Sequence, residues 1–390
     1  MKVLRNPRQT AWSRGVMFAL SVVFGSGLVS PVAFSAPAAS EQVIAYVFVG
    51  DRLIRPGEID AAKLTRINYA FANIRDGGIV EGFANDSGNF AVFNSLKKQN
   101  ATLQVLISVG GWTWSGAFSD MALTKASRKT FIDSAVRFID RYQLDGLDID
   151  WEYPGMPGMG NKFRAEDKQN YTALLRELRK RFDREEKRLH RRLYTSVATG
   201  ASMNFLAHTE MRKVARYVDS VNLMSYDYYE PDSDTIAAHH SPLYTNPKDP
   251  KLVSTDASVR AYQLAGVRAR KIVMGVPFYG HAWGDVSEQD HGLFQPGKKT
   301  HLNANYRHIA GNLLGNGYTR YWDPISQAPF LYNPSTRIFV SYEDPESVRL
   351  KCRYLLAHHL AGIMFWDYSG DADGALLNAI HEELTGSGRR

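Results

Sequence analysis

The sequence predicts an α/β fold: a (β/α)8 barrel with a small α+β insertion between its seventh and eighth strands. Three observations carry this expectation. Short apolar runs alternate with longer amphipathic ones about eight times, the rhythm of strand followed by helix. That rhythm alone also fits a doubly wound sheet. The chain has 390 residues, 44% apolar and 22% charged. This is enough to bury one large core, and it excludes disordered, collagen-like and multi-span membrane chains. Finally, the fourth run carries acids at alternate positions, which a barrel strand would turn toward its interior.

The strand-like runs are 43–49, 66–74, 102–109, 146–151, 193–199, 220–226, 271–279 and 361–366. Gly50 ends the first, and Gly110-Gly111 bound the third. Helical periodicity follows between them. Residues 127–142 align Phe131, Ala135, Phe138, Ile139 and Tyr142, and 169–182 align Tyr171, Leu174, Leu175, Leu178 and Phe182. Residues 256–265, 347–359 and 375–384 are further helices. More than 80 residues separate the last two strands, too many for a structureless loop. Within them 319–322, 329–332 and 337–342 read as short strands, with turns at Asp323-Pro324 and Asn333-Pro334.

Residues 1–38 read as a secretion leader. Lys2, Arg5, Arg8 and Arg14 precede an apolar run over 15–28, and small residues follow, with cleavage expected after Ala38. Gly25, Ser26, Gly27, Ser30 and Pro31 interrupt the run, which weakens it as a membrane anchor. The division is therefore a leader over 1–38, a barrel over 39–283 and 343–390, and an insertion over 284–342. The whole chain carries a net charge of +7. Without the leader, 43 basic residues face 40 acidic ones, or +3, and the case for a polyanion partner goes with the difference. No nucleic acid or membrane is expected to bind the exported protein, which is expected to be a monomer. The single cysteine, Cys352, has no intrachain partner and reads as a small buried hydrophobe.

The most informative segment is 145–154. Asp145, Asp148, Asp150 and Glu152 lie within eight residues. In an extended strand the last three project to one face, successive members about 7 Å apart. Leu147, Ile149 and Trp151 face the opposite way. Confined carboxylates repel one another, so at least one should keep its proton near neutral pH, which a general acid needs. A metal reading finds neither the calcium order D-x-[DN]-x-[DN]-G nor H-E-x-x-H. Neither a metal nor a cofactor is expected in catalysis, and no phosphate-loop pattern is present.

This segment resembles the D-G-x-D-x-D-W-E signature of glycoside hydrolase family 18, the chitinase-type hydrolases. Ser108-Val-Gly110-Gly111 resembles that family's S-x-G-G motif, and Met224-Ser-Tyr226-Asp227 its M-x-Y-D motif. Residues 274–280 and 362–366 are similar to its seventh and eighth strands, and 280–342 to the insertion that walls the cleft of many members. The resemblance covers nearly the whole chain beyond the leader.

It implies a secreted chitinase that cleaves β-1,4-linked N-acetylglucosamine polymers and oligosaccharides with retention. Glu152 would protonate the leaving oxygen, while the sugar's own acetamide attacks and forms an oxazolinium intermediate. Asp150 would orient the acetamide N–H and Asp148 would tune Asp150. Tyr226 would hold the acetamide carbonyl and Asp227 would help to position it. Trp366 would pack beneath the sugar, and Met224 would join the binding site. Tyr46, Phe71, Trp112, Trp114, Tyr153, Tyr279 and Trp283 stand at or just past predicted strand ends; for each, lining a sugar subsite and packing in the core are both open. Ser108 would bond near Asp148, and Asp145 would support the strand start. His281 departs from the arginine common in the family, and 228–232 also differs. Peptidoglycan or the chitobiose core of N-glycans are alternative substrates. A non-catalytic chitin-binding lectin is a third reading, disfavoured by the intact Glu152.

Overall fold

A computed structural model describes residues 41–371 and 373–386; the predicted leader and its cleavage site lie outside them. Eight parallel strands close into a barrel: Gln42–Phe48, Arg66–Arg75, Gln104–Gly110, Gly146–Asp150, Tyr194–Gly200, Ser220–Met224, Ile272–Pro277 and Gly362–Trp366. The first strand pairs with both the second and the eighth, so this ring has no free edge. Every predicted strand is present, with ends displaced by only a few residues.

Alternation along each strand separates two environments. On the fourth strand Leu147 and Ile149 are fully buried on the outer face, and Trp151 continues that face. Trp151 stacks on Phe118 with ring centroids 5.2 Å apart and meets Tyr171 edge-on at 5.9 Å. Each such side chain contributes about 1.5–3 kcal/mol by leaving water. A one-residue slip would expose all three and bury the acids among the helices, so the hydrophobic face fixes the register.

The outer layer is helical. Predicted helix 127–142 is observed as Lys125–Tyr142. It begins at a reciprocal cap in which Thr124 and Ser127 satisfy each other's backbone N–H. Predicted helix 169–182 extends to Asp167–Leu189. Its added turns lie in a polar stretch that sequence periodicity passes over, where Arg181 and Arg188 pair with Glu185. The helix predicted over 347–359 is Pro345–Ala357, capped by Asp344 Oδ1, which accepts the N–H groups of Glu346 and Ser347 at 3.0 Å each. Cys352 lies in it, fully buried.

The insertion contains a five-stranded antiparallel sheet: His281–Gly284, Lys298–Lys299, Thr319–Asp323, Ala328–Asn333 and Ile338–Ser341. The sheet thus recruits its first strand directly after the seventh barrel strand. Its core holds Trp283, Phe330, Tyr332 and Phe339. Asn333 Oδ1 accepts the N–H groups of Ser335 and Thr336, at 3.0 and 3.1 Å, closing the predicted turn. Sequence patterning misses the shortest pairings, among them Gly78–Val80 on the second barrel strand and Lys298–Lys299 on His281–Gly284. Ile236–Ala237, after the sixth barrel strand, pairs antiparallel with Gln295–Pro296 of the insertion. Two-residue strands carry no readable alternation.

Candidate active site

The barrel interior combines an apolar cluster of Ile44, Val273 and Met364 with a polar network around Asp148. Asp148 is fully buried at its centre. Ser196 Oγ donates to Asp148 Oδ1 at 2.5 Å, while Ser108 Oγ and the Tyr46 hydroxyl donate to Oδ2 at 2.7 and 2.9 Å. Asn222 Nδ2 donates to the Tyr46 oxygen at 2.9 Å. These groups come from strands in register: Ser108 faces Asp148, and Asp148 faces Ser196. Burial raises the Asp148 pKa, and the three hydroxyl donors oppose the rise.

Two residues on, Asp150 is 3% exposed and its Oδ1 has no partner in the protein. Burial, then the charges of Glu152 and Asp148, lift its pKa well above the usual carboxylate range. Glu152 follows at the strand end. Its N–H donates to Ser115 Oγ at 2.9 Å, and its carbonyl accepts from Asn161 Nδ2 at 2.7 Å. Burial raises the Glu152 pKa to about 7, aided by the charges of Asp227 and Glu230 and opposed by a hydrogen bond from Tyr153. The turn beside these acids needs glycine. Gly110 has φ 108° and a Cβ there would lie 2.2 Å from the Asp150 carbonyl oxygen. At Gly111, φ 77°, a Cβ would lie 2.6 Å from the Phe71 ring.

A cavity of about 1090 Å³ opens above the acids. Its lining brings together Asp150, Glu152, Tyr226, Asp227, Tyr46, Phe71, Trp112, Trp114, Tyr153, Met224, Tyr279 and Trp366. Asp148 lies outside the lining, bonded within the barrel through Tyr46, Ser108 and Ser196. Trp366 stacks on Phe71 at 5.4 Å and sits 6.0 Å from Tyr46. Trp112 is 49% exposed at the cavity, 6.3 Å from Tyr153. Trp283 instead belongs to the insertion core, its Nε1 donating to the Asp234 carbonyl at 3.0 Å. Asp145 accepts the Val105 N–H at 2.8 Å and pairs with Lys97, so it ties the fourth strand to the third at its start. A second cavity, of about 380 Å³, shares Tyr279 and Trp366, and insertion residues Thr300, Leu302, Ala304 and Asn305 line part of it.

Asp227 has φ 57°. The Tyr279 hydroxyl contacts both its carboxylate oxygens at 2.7 Å, His281 Nε2 lies 2.8 Å from Oδ1 and His240 Nδ1 3.5 Å. Burial alone would raise the Asp227 pKa. Hydrogen bonding and charge from His240 and His281 outweigh it and hold the carboxyl well below the usual range. His240, fully buried, has its own pKa pushed down to about 4, chiefly by burial.

Several residues here escape sequence reasoning. Ser196 and Asn222 occupy inward positions on the fifth and sixth strands, and alternation could have found them. Ser115, Phe83, Phe205 and Leu252 come from loops and helices with no local signal; only folding brings them to the cleft.

A closed barrel with a carboxyl raised to about 7 at the mouth of an aromatic-lined cleft has the layout of a hydrolase of the glycosidase class. Comparison with known proteins specifies the class. Residues 42–371 match Glycosyl hydrolases family 18, and the chain belongs to that family. It is 34% identical to chitinase A1 of Niallia circulans, over 98% of this chain and 64% of that one. It is 32% identical to chitinase 1 of Aphanocladium album, over 85% and 82%. Among solved structures, a family 18 N-acetylglucosaminidase from Paenibacillus barengoltzii is 39% identical with a TM-score of 0.81, over 88% of this chain and 99% of that one. The chitinase ChiW from Paenibacillus is 36% identical with a TM-score of 0.83, and the match covers 33% of that longer chain.

Proposed function

We propose that this protein is an exported chitinase that hydrolyses β-1,4 linkages between N-acetylglucosamine units with retention. The observation that carries the reading is the unpartnered Asp150 Oδ1 beside Glu152, whose pKa is raised to about 7, within a cavity lined by Trp366. In this reading Trp366 supports the apolar face of the bound sugar. Asp150 accepts the acetamide N–H, which turns the acetamide oxygen toward the anomeric carbon. Tyr226, also lining the cavity, donates its hydroxyl to that oxygen, and Asp227 sits close to the developing positive charge. Glu152 gives its proton to the departing oxygen, then takes one from the water that opens the oxazolinium. Asp148, held by its hydroxyl donors, keeps Asp150 in place.

Export is proposed from the basic leader and apolar run. Among the described residues no helix is long and apolar enough to cross a membrane. The division into leader, barrel (39–283 and 343–390) and insertion (284–342) belongs to the same proposal, and insertion residues lining the smaller cavity support its role as a cleft wall.

The Glu152 pKa implies a pH profile. The protonated acid is lost as pH rises through about 7, so kcat/KM on an oligosaccharide falls on the alkaline side of that value. A nitrophenyl leaving group needs little protonation, so its alkaline limb is expected to flatten. An oligosaccharide limb far above that pH would assign the acid to another group.

One observation favours a second reading. The N-acetylglucosaminidase likeness, at 39% identity, points to release of single sugars from chain ends. Product analysis on N-acetylglucosamine oligomers of defined length separates the two. Dimers and trimers from a hexamer are expected for internal cleavage, and monomer at the earliest times for end cleavage. Peptidoglycan and a high-mannose glycopeptide run alongside; turnover confined to either would overturn the chitinase reading.

A further inference from the structure

We propose that Asp227, His240 and His281 form a binding site for a zinc-type transition-metal dication, and that its occupancy blocks the cleft. Their ligand atoms all lie within 4.8 Å of one another. Asp227 Oδ1 is 2.8 Å from His281 Nε2 and 3.5 Å from His240 Nδ1. Tetrahedral zinc, with bonds of about 2.0–2.2 Å, separates its donors by roughly 3.3 Å, so small movements seat the ion. Two imidazoles and one carboxylate suit zinc, copper or nickel and disfavour magnesium and calcium, which take oxygen ligands.

The ligands come from fixed positions. His240 donates its backbone N–H to Ser341 Oγ at 2.9 Å, and His281 pairs with Ser341 in the insertion sheet. The Tyr279 hydroxyl already holds the carboxylate and would remain as an outer-shell donor. A ligating imidazole carries its proton on the ring nitrogen away from the ion. Asp227 and His281 are 32% and 20% exposed, leaving an entry path and room for a water ligand. Asp227 lines the large cavity, so an ion bound there stands in the cleft itself. An arginine at position 281 would put a fixed positive charge in its place.

Calorimetric titration of zinc chloride into the full chain, in a non-coordinating buffer, tests the site. One equivalent should bind with a micromolar or tighter Kd. His281→Arg should weaken binding about 10-fold or more. X-ray absorption at the zinc edge of the wild-type complex should read two imidazole nitrogens, a result that does not depend on the variant folding. Inhibition of oligosaccharide hydrolysis should follow the same binding curve and reverse with EDTA. Absence of saturable binding below millimolar zinc, binding unchanged in a folded His281→Arg protein, or fewer than two imidazoles would overturn the site. Binding without inhibition would overturn the blocking role. That role rests on the proposed hydrolase activity, whereas calorimetry does not, so the two failures are distinguishable.

Discussion

Glu152→Gln lowers kcat on N-acetylglucosamine oligomers by roughly 10³-fold while leaving their binding nearly unchanged; this is the expected result with the largest effect. Glutamine matches the shape of the protonated acid and is neutral, as Glu152 is for much of its population near pH 7. It therefore fits the same buried position, but it has no acidic proton to give the leaving oxygen. General acid catalysis supplies about 10²–10⁴ in rate, and a loss of 10³ corresponds to about 4 kcal/mol of transition-state stabilisation. Steady-state kinetics give kcat, and calorimetry on the same variant gives the oligosaccharide Kd. A variant with full turnover would remove Glu152 from the role of acid. A variant that neither turns over nor binds would make it a binding residue instead.

The second large effect is on stability as well as rate. Asp148→Ala strands the Tyr46, Ser108 and Ser196 hydroxyls in the barrel interior, where Ser108 and Ser196 are fully buried and Tyr46 is 2% exposed. Each stranded donor costs about 1–3 kcal/mol, so unfolding free energy should fall by roughly 3 kcal/mol or more. Urea denaturation measures this. Asp148→Asn keeps one oxygen acceptor and should lose less. Turnover should fall in both, because Asp150 loses the neighbouring charge that helps to raise its pKa. An Asp148→Ala protein as stable as wild type would mean that solvent enters the barrel and satisfies those donors.

The barrel and the carboxylate row were legible for the same reason. Alternation on the fourth strand put Leu147, Ile149 and Trp151 on one face and Asp148, Asp150 and Glu152 on the other, and burial of the apolar face leaves the acids only the interior. The aromatic residues were harder. Trp112 and Trp283 look alike in sequence, each close after a strand, yet Trp112 is 49% exposed at the cavity and Trp283 fully buried. The difference arises because His281–Gly284 continues into the insertion sheet, whose two faces alternate independently of the barrel. Likewise Ser115, which accepts the Glu152 N–H, lies 37 residues away in sequence, beyond the reach of any local pattern.

The sequence by itself determined the strand–helix order, the inward face of the fourth strand and the identity of the acids, because these depend on periodicities of two and 3.6 within single segments. Only the tertiary structure decided how far the carboxyl pKa values of Asp148, Asp150 and Glu152 rise, because burial and neighbouring groups set each one. It also decided that Asp227 lies between His240 and His281, residues 13 and 54 positions away. His281 stands opposite Ser341 in the insertion sheet, and Ser341 Oγ accepts the His240 N–H, a meeting that no spacing in the chain encodes.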